Sequence, residues 1–192
     1  MRRLGAELGV VAMSLYNHLH GRAAVAAAVV GAVISEVALP DQREGDWPAR
    51  MTDMARSFRQ VLLTHPKTLP LFIGGSAPVT DTEALKRVDA ALGILRTAGL
   101  GEVETVHAYR IISGFVLGFV LQETANVASV TSDPTGPVMK HRATGAPTDL
   151  PWLQELATHL LQCDNDLEFE LGLTAIVNGL AQTLELREEP TR

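Results

Sequence analysis

The stretch MRRLGAELGVVAMSLYNHLHGRAAVAAAVVGAVISEV, residues 1–37, decides the fold. Residues 2–8 place Leu4 and Leu8 one turn apart, and Gly9 follows where a left-handed helix cap is wanted. A second short helix, from about Ala12 to Leu19, carries Leu15 and Leu19. Leu4, Leu8, Val10, Leu15 and Leu19 pack the two helices together across a turn at Gly9, Val10 and Val11. This is a helix-turn-helix arrangement, and it leaves Ala12, Met13, Ser14, Tyr16, Asn17 and His18 pointing outward. His20 and Gly21 break the chain again, and Arg22 opens a long apolar helix to about Leu39.

The outward set suits a DNA groove. Ser14, Tyr16 and His18 can reach phosphate oxygens, and the small Ala12 and Ser14 allow close approach. Arg2 and Asn17 have the chemistry to read base edges, since arginine pairs with guanine and asparagine with adenine. Arg22, at the start of the long helix, adds its charge to a positive dipole end. The plain alternative is an ordinary helical hairpin with a surface Tyr-Asn-His. Charge is uneven along the chain. The chain carries −6 overall, yet residues 1–22 hold Arg2, Arg3 and Arg22 against Glu7, a balance of +2 that leaves −8 on the remainder. A basic head on an acidic body suggests that the head meets an anion, and the plain alternative is chance, since three arginines are few.

The remainder reads as an all-α body. Of 192 residues, 46% are hydrophobic and 20% charged, a globular composition, and no sustained alternation marks a strand. Met51, Met54, Phe58, Val61 and Leu62 form one stripe between Ala49 and Thr64, ended by His65-Pro66. Leu69 to Ile73 is a short helix or turn. Thr80 or Asp81 caps a helix carrying Leu85, Val88, Leu92 and Leu95, which stops at Gly99. A long helix runs from about Glu102 to Val127, and residues 129–151 read as a loop. Trp152 to Leu161 is helical, and Asn165 or Asp166 starts a last helix to about Leu186. The domains expected are a head with its connecting helix over 1–39 and a body over 40–192.

Several classes drop out. The single Cys163 allows no disulfide framework and no cysteine metal site within one chain, and it fits a reducing, cytoplasmic setting. No apolar segment of a signal peptide follows Met1. The apolar runs Ala23–Val37 and Ile111–Leu121 fall short of the ~20 residues a bilayer requires, and they read as buried helices, with no membrane partner. Glu104 and His107 alone make no metal site, and no cofactor is expected.

Glycine inside a helix costs ~1 kcal/mol against alanine, so helical glycines invite a packing reason. Gly114 and Gly118, extended by Gln122 and Ala125, form one smooth face. Gly172, Ile176, Gly179 and Thr183 form another, and both suggest close helix–helix approach. A ligand cavity is expected among Phe72, Leu92, Leu95, Ile111, Phe115, Phe119, Trp152 and Phe169, with polar contacts from His107, Arg110 and His159. Most of these are equally suited to a plain core.

Residues 1–19, followed by Arg22, strongly resemble the TetR family of bacterial transcriptional repressors, most specifically at Leu15-Tyr16-x-His18. The body resembles the family's C-terminal regulatory domain more loosely, through His65-Pro66, the Tyr109–Phe119 helix with Gly114 and Gly118, and Phe169-Glu170-Leu171-Gly172-Leu173. By this resemblance Ser14, Tyr16, His18 and Arg22 hold phosphates, and Arg2, Ala12, Met13 and Asn17 face bases. The two glycine-faced helices become a four-helix dimer interface. Family members have a further helix ahead of the position of Met1. An omitted segment, a misplaced start and an incomplete module are the readings, and omission is the expectation. The function implied is a homodimeric repressor, not an enzyme, released from a palindromic DNA operator by a small molecule. The alternative is an all-α small-molecule carrier or enzyme using His107, His159, Asp164 or Glu168, and a weaker third is a regulator-like protein without DNA binding.

Overall fold

The computed structural model describes residues 21–40, 46–73, 79–132, 150–160, 162 and 164–188, and among them every regular element is helical. The chain forms two compact units, residues 1–111 and 112–192. The first contains α1 (Gly21–Ser35), α2 (Trp47–Thr64), a 3-10 turn (Pro66–Thr68), α3 (Leu69–Ile73), α4 (Thr82–Thr97) and the start of α5 (Glu102–Ser132). The second contains the rest of α5, α6 (Pro151–Leu160) and α7 (Asn165–Glu188).

The helices begin where side-chain acceptors stand. Asp46 caps α2 by accepting from the Ala49 amide at 3.1 Å, with Pro48 in the first turn. Proline suits that turn because its missing N–H has no partner there anyway. This starts α2 at Trp47, ahead of the apolar stripe that begins at Met51. Asp81 caps α4 by accepting from the Ala84 amide at 2.8 Å, and Glu83 adds an acid to the first turn. The chain leaves α4 through Gly99 at φ +95° and enters α1 through Gly21 at φ +92°, conformations that a side chain would strain.

In the first unit α2 buries Met51, Met54, Ala55, Val61 and Leu62, and Phe58 is half-buried. The buried face of α4 is Ala84, Ala91, Ile94 and Leu95, a shift from the stripe expected through Leu85, which is 46% exposed. The alanines explain the shift, because small side chains let α1 approach closely. At Gly31 of α1 an added Cβ would stand 2.8 Å from the Cβ of Asp81.

Three expected boundaries move. α1 stops at Ser35 rather than near Leu39, its end tightened by amide bonds from Glu36 to Val33 and from Val37 to Ile34. α5 continues to Ser132, past Val127. α7 is capped by Asp164, which accepts from the Leu167 amide at 3.0 Å, rather than by Asn165 or Asp166. Asp and Asn cap about equally well, so three neighbouring candidates look alike in sequence.

The core of the second unit joins Ile112, Val116 and Val120 of α5 to Phe169, Leu173 and Val177 of α7, one turn apart on each helix. The apolar run expected as a wholly buried helix is buried on this face only. Ile111, Gly114, Gly118 and Leu121 are exposed in the single protomer. By length and composition Glu102–Ala125 is apolar enough to cross a membrane, but its buried face here is part of a helical protein core.

Candidate functional site

The predicted DNA-contact residues Arg2, Arg3, Ala12, Met13, Ser14, Tyr16, Asn17 and His18 lie outside the described residues. Arg22 is described and exposed, in the first turn of α1. That turn holds no acidic residue, so nothing in it neutralises either the guanidinium or the partial positive charge of the helix start.

The other end of α1 is fixed to the first unit by side chains from α2, its cap and α4. The Arg87 Nε–H of α4 donates to the Val37 carbonyl at 3.3 Å. The Ala38 amide donates to Ser57 Oγ of α2 at 2.8 Å. His65, at the end of α2, pairs its Nε2 with Glu36 Oε2 at 2.9 Å. Arg87 also donates through Nη1 to the Glu83 carbonyl at 3.1 Å and to the Glu83 carboxylate at 2.6 Å. Lys86 and Arg87 together hold the Glu83 carboxyl below its ordinary value, the hydrogen bond from Lys86 contributing most. Sequence reading singled out none of Glu36, Ser57 and Arg87. They stand 29, 19 and 50 residues, respectively, from the partners that give them meaning, and no local pattern carries that pairing.

The predicted ligand-site residues fall into both units. In the first, Phe72 is half-buried with its ring 6.1 Å from that of Phe58, Leu92 is half-buried and Leu95 is fully buried. His107, Arg110 and Ile111 are exposed. Tyr109 is partly buried, which pushes its phenol above the ordinary value. In the second unit Phe115, Phe119 and Phe169 come together. Phe115 and Phe169 stack at 5.5 Å, and Phe119 meets Phe169 edge-on at 5.4 Å. Phe169 is fully buried, so it is a core residue in this state, whereas Trp152 is 73% exposed and His159 is also at the surface.

Of the expected dimer faces, Gly114, Gly118, Gln122 and Ala125 on α5 are all exposed, as are Gly179 and Thr183 on α7, and Ile176 is half-buried. Gly172 departs from the expectation. The space a Cβ would fill there is taken by the Phe115 ring of the same chain, 2.6 Å away. Its bareness serves the protomer's own core. Among the described residues, no three His, Cys, Asp or Glu side chains are placed to hold a metal ion together.

Comparison with known proteins agrees in both sequence and shape. Residues 39–184 match the family model for the tetracycline repressor-like C-terminal domain. The chain is 32% identical over 186 residues to the tetracycline repressor protein class A from transposon 1721 of Escherichia coli, covering 94% of this chain and 80% of that one. The crystal structure of the Streptomyces coelicolor TetR family protein ActR in complex with actinorhodin superposes with a TM-score of 0.80 and 27% identity, over 96% of this chain and 87% of that one. A TetR variant from Acinetobacter baumannii AYE in complex with minocycline superposes with a TM-score of 0.72 and 26% identity, over all of this chain and 86% of that one.

Proposed function

Because this chain belongs to the TetR family of transcriptional regulators, with the family's tetracycline repressor-like C-terminal domain, we propose that it is a repressor that leaves a palindromic operator when a flat, fused-ring molecule binds its body. It is a ligand-responsive DNA-binding regulator and not an enzyme, and its partners are a second copy of itself, double-stranded DNA and a small effector. It works in the cytoplasm, where that DNA is.

The observation that carries this reading is the extent of the relationship. It runs over nearly the whole chain, at 94% of its length in sequence and 96% in structure. Two of the neighbours support the effector class, since they are in complex with actinorhodin and minocycline, both fused-ring compounds. This chain offers aromatic side chains of its own, Phe72 in the first unit and Phe115 and Phe119 in the second, and His107 and Arg110 are exposed polar groups in the first; aromatic faces stack on flat rings.

In the head, Tyr16, Ser14, His18 and Arg22 take phosphates, with Arg3 nearby in the basic segment, and Arg2, Ala12, Met13 and Asn17 face bases. The dimer forms through the exposed faces of Gly114, Gly118, Gln122 and Ala125 on α5 and of Ile176, Gly179 and Thr183 on α7. A twofold dimer presents two heads one helical turn of DNA apart. The ligand shifts the population towards a different head spacing, and only its differential affinity for the two states does so.

Purified protein is tested by mobility shift on DNA flanking its own gene, with and without tetracycline as the first fused-ring probe and a panel of similar aromatics beside it. The reading expects one retarded palindromic fragment, freed by at least one of these compounds. Retardation that no compound in the panel relieves would count against the effector class.

A further inference from the structure

We propose that Arg87 is a positioning residue, whose guanidinium fixes the C-terminal end of α1 on α4 and so sets the direction in which α1 carries the segment ahead of it towards DNA. This rests on the DNA-binding reading above and adds to it the point from which the head is aimed.

The end of a helix leaves carbonyls without partners and a partial negative charge. α1 has no basic residue in its last turn to meet that charge. Arg87 brings a positive charge to this end from another helix, donating to the Val37 carbonyl two residues past Ser35. The side chain is only 19% exposed, so this bond is partly sheltered from competing water. It is also aimed in advance, because the same guanidinium is tied to the carbonyl and the carboxylate of Glu83 one turn back on α4. The planar fork of arginine can hold these acceptors at once, and a lysine ammonium on a flexible stem cannot reproduce that geometry.

A second contact makes the seat directional. Gly31 of α1 lies against Asp81 so closely that a Cβ would meet the Asp81 Cβ at 2.8 Å. Residues 31 and 37 thus meet residues 81 and 87, an equal offset of six on both partners, so the two chain segments run the same way over this stretch. Close packing at Gly31 and a hydrogen bond at Val37, just past the helix end, together resist a tilt of α1 better than either contact alone. α1 has 15 residues, about 22 Å of lever, so a tilt of roughly 10° at the seat moves its far end by about 4 Å. Half-site spacing on DNA is sensitive to movements of that size.

The test compares the full-length chain with its Arg87→Lys and Arg87→Ala variants in two measurements. Amide hydrogen exchange over residues 36–38 reads the seat, with residues 169–177 of α7 as the internal control. Affinity for the fragment the wild type retards best reads the aim. The expected result is exchange at least tenfold faster at 36–38 in both variants, unchanged exchange at 169–177, and operator affinity reduced at least tenfold, in the charge-preserving lysine variant too. Wild-type exchange at 36–38 in Arg87→Lys would overturn the proposal, and so would faster exchange with unaltered operator affinity. A wild type that retards no fragment contradicts the DNA-binding reading instead, and the exchange comparison then decides the seat by itself.

Discussion

The Phe115 ring occupies the space that a side chain on Gly172 would need, its Cζ 2.6 Å from where the Cβ would stand. The ring cannot simply swing aside, because Phe119 lies 5.8 Å and Phe169 5.5 Å from it, centroid to centroid. Overpacking of this kind costs about 1–3 kcal/mol. Alanine recovers up to about 1 kcal/mol of helix propensity over glycine. Gly172→Ala therefore lowers stability by about 1 kcal/mol in chemical denaturation, and adding Phe115→Leu, which removes the ring, relieves the clash. A Gly172→Ala variant at least as stable as the wild type would contradict this account of the second unit's core.

Asp81 has two tasks, capping α4 and bracing Gly31. Asp81→Ala leaves the Ala84 amide without its acceptor and lowers stability by about 1 kcal/mol, the usual worth of such a cap. Asp81→Ser keeps an acceptor and recovers most of the loss. Equal loss from both substitutions in urea denaturation would mean that the cap is not what Asp81 contributes.

The helical pattern of the chain was readable from its own periodicity because each element obeys local rules. The stripe from Met51 to Leu62, the acid at Glu83 and the turn at Gly99 are all settled within a few residues. What sequence could not show depends on partners far away. α1 stops at Ser35 because Val37, Ala38 and Glu36 are held by Arg87, Ser57 and His65, and nothing between Arg22 and Leu39 announces those partners. Phe115 and Phe119 share a face by spacing alone, but their meeting with Phe169 fifty residues on is a fact of packing. The glycines show the same limit. Gly114 and Gly172 look alike in sequence, yet one is exposed and the other is covered by the chain's own phenylalanine. The wording around Tyr16 pointed to DNA because it resembles a known family, and the relatives found for the whole chain belong to that family.

Ionisation offers a check on the first unit. Its Tyr109 phenol is raised by burial, and Tyr16 is the only other tyrosine in the chain. In a Tyr16→Phe variant the remaining phenol titrates above the ordinary value near 10, read by absorbance at alkaline pH. The sign for stability follows. A raised folded value leaves stability intact below the unfolded value and removes it as pH climbs through the folded one. A phenol titrating at or below the ordinary value would contradict the burial of Tyr109.

The exposed smooth face of α5 predicts a dimer that a single charge disrupts. Gly118→Glu places a carboxylate on that face, and sedimentation is expected to show monomer at concentrations where the wild type is dimeric. Operator binding falls with it, because one head alone grips half a site. A Gly118→Glu protein that remains dimeric would move the interface away from this face.

The most direct measurement is fluorescence anisotropy of the wild type on its palindromic fragment across a potassium chloride series. Each phosphate neutralised by an arginine or lysine releases counterions, so log affinity falls linearly with log salt, with a slope near −0.9 per neutralised phosphate. A dimer whose two heads each set Arg22 against the backbone, with Arg2 and Arg3 in the same basic segment, gives a slope of about −2 or steeper, while the neutral contacts from Ser14 and Tyr16 add affinity without adding to the slope. Affinity indifferent to salt, or no specific binding at any salt concentration, would contradict the account.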